Sequence, residues 1–292
     1  MLAALSMLSL PILGLAACDQ AQVVETPSPS PLIYEISSAN GGVEGWLLGT
    51  IHALPESVDW RTDPIENAIA DADFLMVEIA DLEDEKDLAH IFAELGQSPD
   101  LPSIEMRVPR EQRASLKATI EREGFSSAQL KKVETWAVAL MLVNGDPQSD
   151  PRYGVDRVVI REFEGRDVVE FEGVRAQLSV FDQLAEEDQR VLLRSAIKSS
   201  DNEVQDPAQL RDAWITGDVT TIKEATITGM MTDPELRDAL LVQRNKDWMV
   251  KLEPVLAKAE RPLIAVGAAH LVGDDGLTAM LEDRGYTVRR LR

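Results

Sequence analysis

Gly49-Thr50-Ile51-His52 and Gly267-Ala268-Ala269-His270 repeat one short pattern, Gly-x-x-His, near opposite ends of the chain. Each copy follows an apolar run, and such runs are typical of buried strands. Ligands gather outside the carboxyl ends of strands in α/β sheets, and glycine permits a close approach there. A lone copy would be an incidental feature of a core strand. Because two of the chain's three histidines lie in the copies, we instead expect one site shared by His52 and His270.

Two carboxylates lie at the ends of further predicted strands. Glu78 lies near the end of the apolar run 74–79, and Glu172 ends a strand predicted over 167–172. A buried ionised carboxylate is costly unless it meets a metal, a cation or several hydrogen-bond donors, although either residue could be a satisfied structural carboxylate. With the two histidines they could form a mixed nitrogen and oxygen ligand set, which suits zinc, manganese or cobalt.

Strand and helix signals alternate along the chain. Asn40-Gly41-Gly42 predicts a hairpin turn between strands over 32–37 and 43–51. Helices are predicted over 63–70, 84–95, 109–123, 127–143, 156–163 and most of 175–258, with a final strand, helix and strand over 263–266, 276–284 and 287–291. The pattern predicts an α/β or α+β domain. It has a small central sheet, a large helical middle, and N- and C-terminal halves that meet at one site.

The first residues predict the compartment. Residues 1–17 are almost wholly apolar or small and too short to span a bilayer comfortably, which is typical of a secretory signal. They lead into Leu15-Ala16-Ala17-Cys18, which resembles a bacterial lipobox with Cys18, the only cysteine, as the lipidated residue. Residues 18–31 are interpreted as a flexible tether and 32–292 as the folded domain. We therefore expect a cell-envelope lipoprotein that faces the periplasm and touches the membrane through its lipid anchor only.

Charge and missing motifs exclude several classes of function. The chain has 51 acidic and 29 basic residues, a formal net charge of −22, which argues against binding to nucleic acid or to anionic lipid. The sequence has no Walker-type loop, no Gly-x-Ser-x-Gly, no His-Glu-x-x-His and no cysteine pair. The two Gly-x-x-His copies and the two carboxylates are therefore the main candidates for chemistry.

The order of these motifs resembles one protein family. The paired Gly-x-x-His copies, with Glu78 after the first and Arg244-Asn245 before the second, look like the TraB/PrgY/GumN family, which includes the Tiki metalloproteases. Tyr153-Gly154-Val155-Asp156, and Glu172 followed by Gln177, match as well. The similarity spans roughly the whole mature chain. A more distant kinship is with erythromycin-esterase-like and haem-binding ChaN-like proteins.

The resemblance implies a metal-dependent hydrolase, and we interpret the chain as a metallopeptidase acting on a peptide or protein. In this hypothesis His52, His270 and Glu78 hold a divalent metal, with manganese, cobalt and zinc all open. Glu172 or Glu78 would be the general base. The alternative is a non-catalytic envelope protein that binds a peptide signal or haem in the same pocket. The oligomeric state stays open.

Arg244 and Asn245 lie in a long helical pattern over 235–248, where such residues are most often on the surface. The resemblance favours a site role: Arg244 would hold a carboxylate or stabilise an oxyanion, and Asn245 would orient a ligand or the backbone. The third histidine, His90, falls on an ordinary amphipathic helix and is interpreted as structural.

Overall fold

The computed structural model describes residues 28–143, 145–200, 206–258 and 260–292. The predicted signal peptide over 1–17, the lipidation site Cys18 and most of the tether lie outside these residues. None of the helices inside the described ranges is both long enough and apolar enough to cross a membrane.

In the part of the chain that the structure describes, six strands form one mixed sheet in the order β4-β3-β5-β2-β1-β6. The strands are β1 Ile33–Ser37, β2 Val43–Thr50, β3 Phe74–Val77, β4 Val168–Glu170, β5 Pro262–Gly267 and β6 Thr287–Arg290. β2, β5, β3 and β4 are mutually parallel, and β1 runs antiparallel to both β2 and β6. The predicted hairpin is the β1–β2 pair.

The helices fill the long connections, as predicted. They are α1 Asp63–Asp71, α2 Glu85–Leu95, α3 Arg113–Arg122, α4 Thr135–Leu142, α5 Val155–Glu162, α6 Val174–Asp182, α7 Glu186–Ser200, α8 Pro207–Thr216, α9 Val219–Ala225, α10 Pro234–Arg237, α11 Gln243–Leu256 and α12 Leu277–Glu282. A turn of π-helix, Asp238–Val242, joins α10 to α11. The mixed α/β class predicted from the sequence is confirmed.

The four parallel strands end at one edge of the sheet. Thr50 at the end of β2 is paired with Gly267 at the end of β5, and Val77 at the end of β3 is paired with both Ala265 and Glu170. Parallel strands in register must deliver the residues that follow them to the same edge. Those residues are His52, Glu78, Glu172 and His270.

Among the residues that the structure describes, two hydrophobic clusters form the core of the domain. The larger one surrounds the sheet and includes the fully buried β2 and β5 side chains Leu47 and Ile264. The second lies in the helical middle around Trp136, where α4 packs on α7. Continuous apolar runs in β2 and β5 follow from burial on both faces of the sheet, which is expected of parallel strands.

One predicted helix is wrong. The helix expected over 127–143 is interrupted: a 3-10 turn, Gln129–Lys132, is followed by extended residues, and only Thr135–Leu142 is α-helical. The extended residues pair with the segment after α2, because the Glu134 N–H donates to the Gly96 carbonyl at 2.8 Å and Val133 forms an isolated bridge with Gln97. Tertiary backbone pairing here overrides a helical sequence pattern.

Candidate active site

The first motif places His52 against the start of α5. The Val155 N–H donates to the Ile51 carbonyl at 2.9 Å, and a Cβ on Gly154 would lie 2.2 Å from the His52 carbonyl oxygen. Glycine at 154 is therefore required for the helix to begin this close to the strand end. The approach puts Asp156 within reach of the imidazole, and His52 Nδ1 lies 2.8 Å from Asp156 Oδ2.

His52 is a charged and accessible group. The neighbouring Asp156 carboxylate raises the pKa of His52 to about 9, so the ring is an imidazolium at neutral pH. The Thr50 hydroxyl donates to the other Asp156 oxygen and fixes the carboxylate. The His52 side chain is 73% exposed, and it lines a cavity of about 290 Å³ together with Glu78. Its Nδ1 is held by Asp156, which leaves Nε2 for a ligand.

Arg244 is the centre of a second group of contacts. Its Nη2 donates to Glu78 Oε2 at 2.7 Å, while Nε and Nη2 donate to the two oxygens of Glu172 at 2.9 and 2.8 Å. The Arg244 side chain is only 12% exposed. Planar, paired hydrogen bonds from one guanidinium to a carboxylate are the strong form of ion pair. Arg244 thus binds together Glu78, which follows β3, and Glu172, which follows β4.

Glu78 is an ionised, buried carboxylate. Its Oε1 accepts the Gly267 N–H at 2.8 Å, so both oxygens have donors. Burial by itself would raise the pKa of Glu78, but the Arg244 guanidinium, the His52 imidazolium and the Gly267 amide hold it below its usual range. The cost of burying the charge is offset by these partners.

Asn245 fixes the protonation of His270. The Asn245 amide nitrogen donates to the Asp275 carbonyl at 2.8 Å, so the amide oxygen faces His270 Nδ1 at 2.6 Å and accepts its proton. The lone pair on His270 Nε2 then faces Arg244 Nη1 at 3.2 Å. Burial lowers the pKa of His270 to about 3, so this ring is neutral, unlike His52.

The irregular helix around 238–256 places the arginine. The π-helical turn Asp238–Val242 precedes α11, and turns of this kind often occur at functional sites. Arg244 and Trp248 lie four residues apart on one helix face, and the Trp248 indole N–H also donates to Glu172, at 2.9 Å. The Trp248 ring packs against His270 with ring centres 4.4 Å apart. Trp248 is both a buried core residue and a partner of the ion pair.

The two Gly-x-x-His copies touch each other. A Cβ on Gly49 would lie 3.1 Å from both Cα and Cβ of Ala268, and a Cβ on Gly267 would lie 3.3 Å from Glu78 Oε1. Both distances are shorter than ordinary contacts, so each glycine permits a close approach. The N- and C-terminal halves of the chain can therefore meet closely because these two positions have no side chain.

The predicted site residues are brought together, with one distinction. Glu78, Glu172, Arg244, Asn245 and His270 form a single hydrogen-bonded network. His52 is hydrogen-bonded to Asp156 instead, and it meets the network at the cavity that it shares with Glu78.

Sequence reasoning missed three partners: Thr50, Asp156 and Trp248. Asp156 belongs to a motif that matches the family, and its position in the first turn of a predicted helix after Tyr-Gly is a further signal of a site role. Trp248 could have been found from its spacing of four residues from Arg244. His90 is exposed on α2, in keeping with its interpretation as an ordinary helix residue.

The predicted metal ligands are not arranged around a cation position. The donor types, imidazole nitrogen and carboxylate oxygen, suit zinc, manganese or cobalt. However, His270 Nε2 and Glu78 Oε2 are both occupied by Arg244. Within the described ranges, no three side chains of His, Cys, Asp or Glu form a group that could hold a metal ion. In this arrangement the residues therefore do not fit a bound metal.

Comparison with known proteins confirms the family that the sequence resembles. The family described as TraB/PrgY/gumN matches residues 32–290. The uncharacterised protein YbaP of Shigella flexneri is 24% identical over 246 residues, which cover 82% of this chain and 89% of YbaP. YbaP of Escherichia coli (strain K12) is 24% identical over 240 residues, which cover 80% of this chain and 86% of YbaP. No solved structure matches the chain. The chain belongs to the TraB/PrgY/gumN family.

Proposed function

We propose that the chain is a cell-envelope hydrolase that cleaves an amide bond in the cavity lined by His52 and Glu78. One observation carries the proposal: an imidazolium oriented by Asp156 and an ionised carboxylate line the same cavity at the carboxyl edge of a parallel sheet. A proton donor and a proton acceptor held apart in this way are the two groups that hydrolysis needs.

His52 supplies the proton. In the proposed reaction water attacks the scissile carbonyl carbon, and the His52 imidazolium donates from Nε2 to the leaving nitrogen as the carbon–nitrogen bond breaks. Asp156 keeps the ring oriented and stabilises its charge. The products are a carboxylic acid and an amine, and the ring regains its proton from solvent.

Glu78 accepts the proton of the attacking water. Of the two possible bases, Glu78 and Glu172, the surroundings favour Glu78, because Glu78 lines the cavity with His52 and Glu172 does not. Arg244 does not line that cavity; it holds the two carboxylates and so positions Glu78. This supports the carboxylate-holding role for Arg244 rather than the oxyanion role. Asn245 orients His270.

A metal-dependent peptidase remains the more specific form of the proposal, as the family resemblance implies. This form requires a rearrangement of Arg244. Its guanidinium must move away from His270 and Glu78 before zinc, manganese or cobalt can reach them. Metal dependence is measured by dialysing the purified protein against a chelator and adding each metal back. Lipidation at Cys18, which would anchor the protein facing the periplasm, is proposed from the sequence alone.

The test is turnover of a quenched-fluorescent peptide pool by the full chain in detergent. Replacing the imidazole in His52→Asn, or the charge in Glu78→Gln, is expected to lower kcat roughly 100- to 10,000-fold. His90→Asn is the matched control, since His90 is exposed on α2, and its activity should equal wild type. Binding of a peptide or haem without any turnover by wild type would instead support the non-catalytic alternative.

A further inference from the structure

An apolar cleft lies beside the candidate site. It has a volume of about 560 Å³ and is formed where α2, α4 and α6 approach one another. Its lining includes Leu88, Phe92, Leu140, Leu178 and Phe181. Pockets of 300–1,000 Å³ with mostly apolar walls are typical of sites for small ligands or side chains.

The floor of the cleft is rigid. Phe92 and Phe181 both pack against the fully buried Trp136, with ring centres 5.4 and 6.2 Å from it. Trp136 belongs to the second hydrophobic cluster, on which the cleft residues pack. Side chains fixed in this way lose little freedom when a ligand binds, which favours affinity.

The cleft adjoins the cavity of His52 and Glu78. Ile79 and Gln177 line both spaces. The two spaces are therefore neighbours that share part of one wall. This adjacency points to one extended ligand that reaches both spaces, with its apolar part in the cleft.

Gln177 marks the junction with an unpaired polar atom. Its Oε1 is buried and has no hydrogen-bond partner in the part of the chain that the structure describes. A buried acceptor without a donor is destabilising, and such atoms in native proteins call for an explanation such as a bound ligand. A main-chain N–H of a peptide supplies the missing donor.

We propose that the cleft binds a large apolar side chain of a peptide substrate, while Gln177 Oε1 accepts the main-chain N–H beside it. Gln177 is then a specificity-determining residue, and Phe92 and Phe181 form the walls of the side-chain subsite. The proposal rests on the proposed peptidase function for its substrate class, but it predicts binding even where no cleavage follows.

The experiment measures binding of blocked pentapeptides, acetyl-Ala-Ala-X-Ala-Ala-amide, to the full chain in detergent by calorimetry. With Leu or Phe at X, the affinity should exceed that with Asn or Asp roughly 10- to 100-fold, because the apolar side chain leaves water. Filling the cleft by Ala89→Trp should abolish this preference. His90→Trp, on the neighbouring exposed position of the same helix, is the matched control and should keep it.

A second arm of the experiment tests Gln177 by combining a change in the peptide with a change in the protein. N-methylation of the amide at X should weaken binding to wild type about fivefold or more, but should have little effect on binding to Gln177→Leu, because the acceptor is already gone. Equal losses in both proteins would overturn the role of Gln177. Equal affinity for all four peptides, or equally tight binding of decanamide, would overturn the peptide subsite. Selective binding without cleavage would refute only the hydrolase function, and cleavage without preference at X would refute only this subsite.

Discussion

Removing the Arg244 guanidinium should destabilise the domain more than removing any surface arginine. The variant Arg244→Met keeps the apolar stem but leaves Glu78 and Glu172 as neighbouring buried carboxylates without their shared cation. Breaking a buried ion pair on one side typically costs about 3–5 kcal/mol. For a domain of this size, that loss corresponds to a fall in Tm of roughly 6–20 °C.

Urea unfolding followed by tryptophan fluorescence measures the effect, with Arg175→Met as the matched control. Arg175 also forms two hydrogen bonds to one carboxylate, that of Glu94, but both side chains are 51% exposed. Exposed ion pairs are screened by water and contribute little to stability, so the control should unfold almost as wild type does. A loss below 1 kcal/mol in Arg244→Met would refute the interpretation that this guanidinium neutralises the buried carboxylates.

The same variant tests whether the Arg244 guanidinium competes with a metal ion for His270 and Glu78. With Arg244 gone, His270 Nε2 and Glu78 Oε2 lose their donor. Manganese, cobalt or zinc should then stabilise Arg244→Met but not wild type, by about 2.7 kcal/mol at a metal concentration of 100 times Kd. Stabilisation of wild type by the same amount would show that the arginine does not compete with the metal.

Three further predictions concern other parts of the chain. The NMR titration of His52 should give a pKa of about 9, and Asp156→Asn should bring it back towards about 6.5. Because the pKa of His52 is raised in the folded state, its pair with Asp156 stabilises the fold fully below about pH 6.5. This contribution is lost as pH rises through about 9. A titration midpoint of wild-type His52 near 6.5 would contradict this prediction. Gly154→Ala should lower the free energy of unfolding, measured in urea, by roughly 1–3 kcal/mol. Gly165→Ala, where a Cβ meets open space but φ is +85°, should lower it by only about 1 kcal/mol. Cys18→Ser should move the protein from the membrane to the soluble fraction of the native bacterium; soluble wild-type protein that retains Met1 would refute lipidation.

The edge of the sheet could be predicted from local sequence alone. β2 and β5 are continuous apolar runs that end in Gly-x-x-His, and β3 is an apolar run followed directly by Glu78. An apolar run with a polar residue at its end indicates a buried strand and its exit, and parallel pairing brings the exits together.

The partners of Arg244 could not be predicted in this way. Arg244 bonds to Glu172 and Glu78, which lie 72 and 166 residues away, and its helix follows a π-turn that no spacing in the sequence signals. The broken helix before α4 has the same cause, because its extended residues are held by backbone groups after α2. Local patterns predict elements, while long-range pairing decides their ends and their contacts.

The position of β5 in the sheet constrains the order in which the sheet can be completed. β5 lies between β2 and β3, although Pro262–Gly267 comes long after both of them in the chain. Until β5 is in place, β2 and β3 each present an unpaired apolar edge, which is a template for association with other chains. The protein therefore needs protection of two open strand edges until β5 docks, and a truncation before residue 262 should aggregate rather than fold.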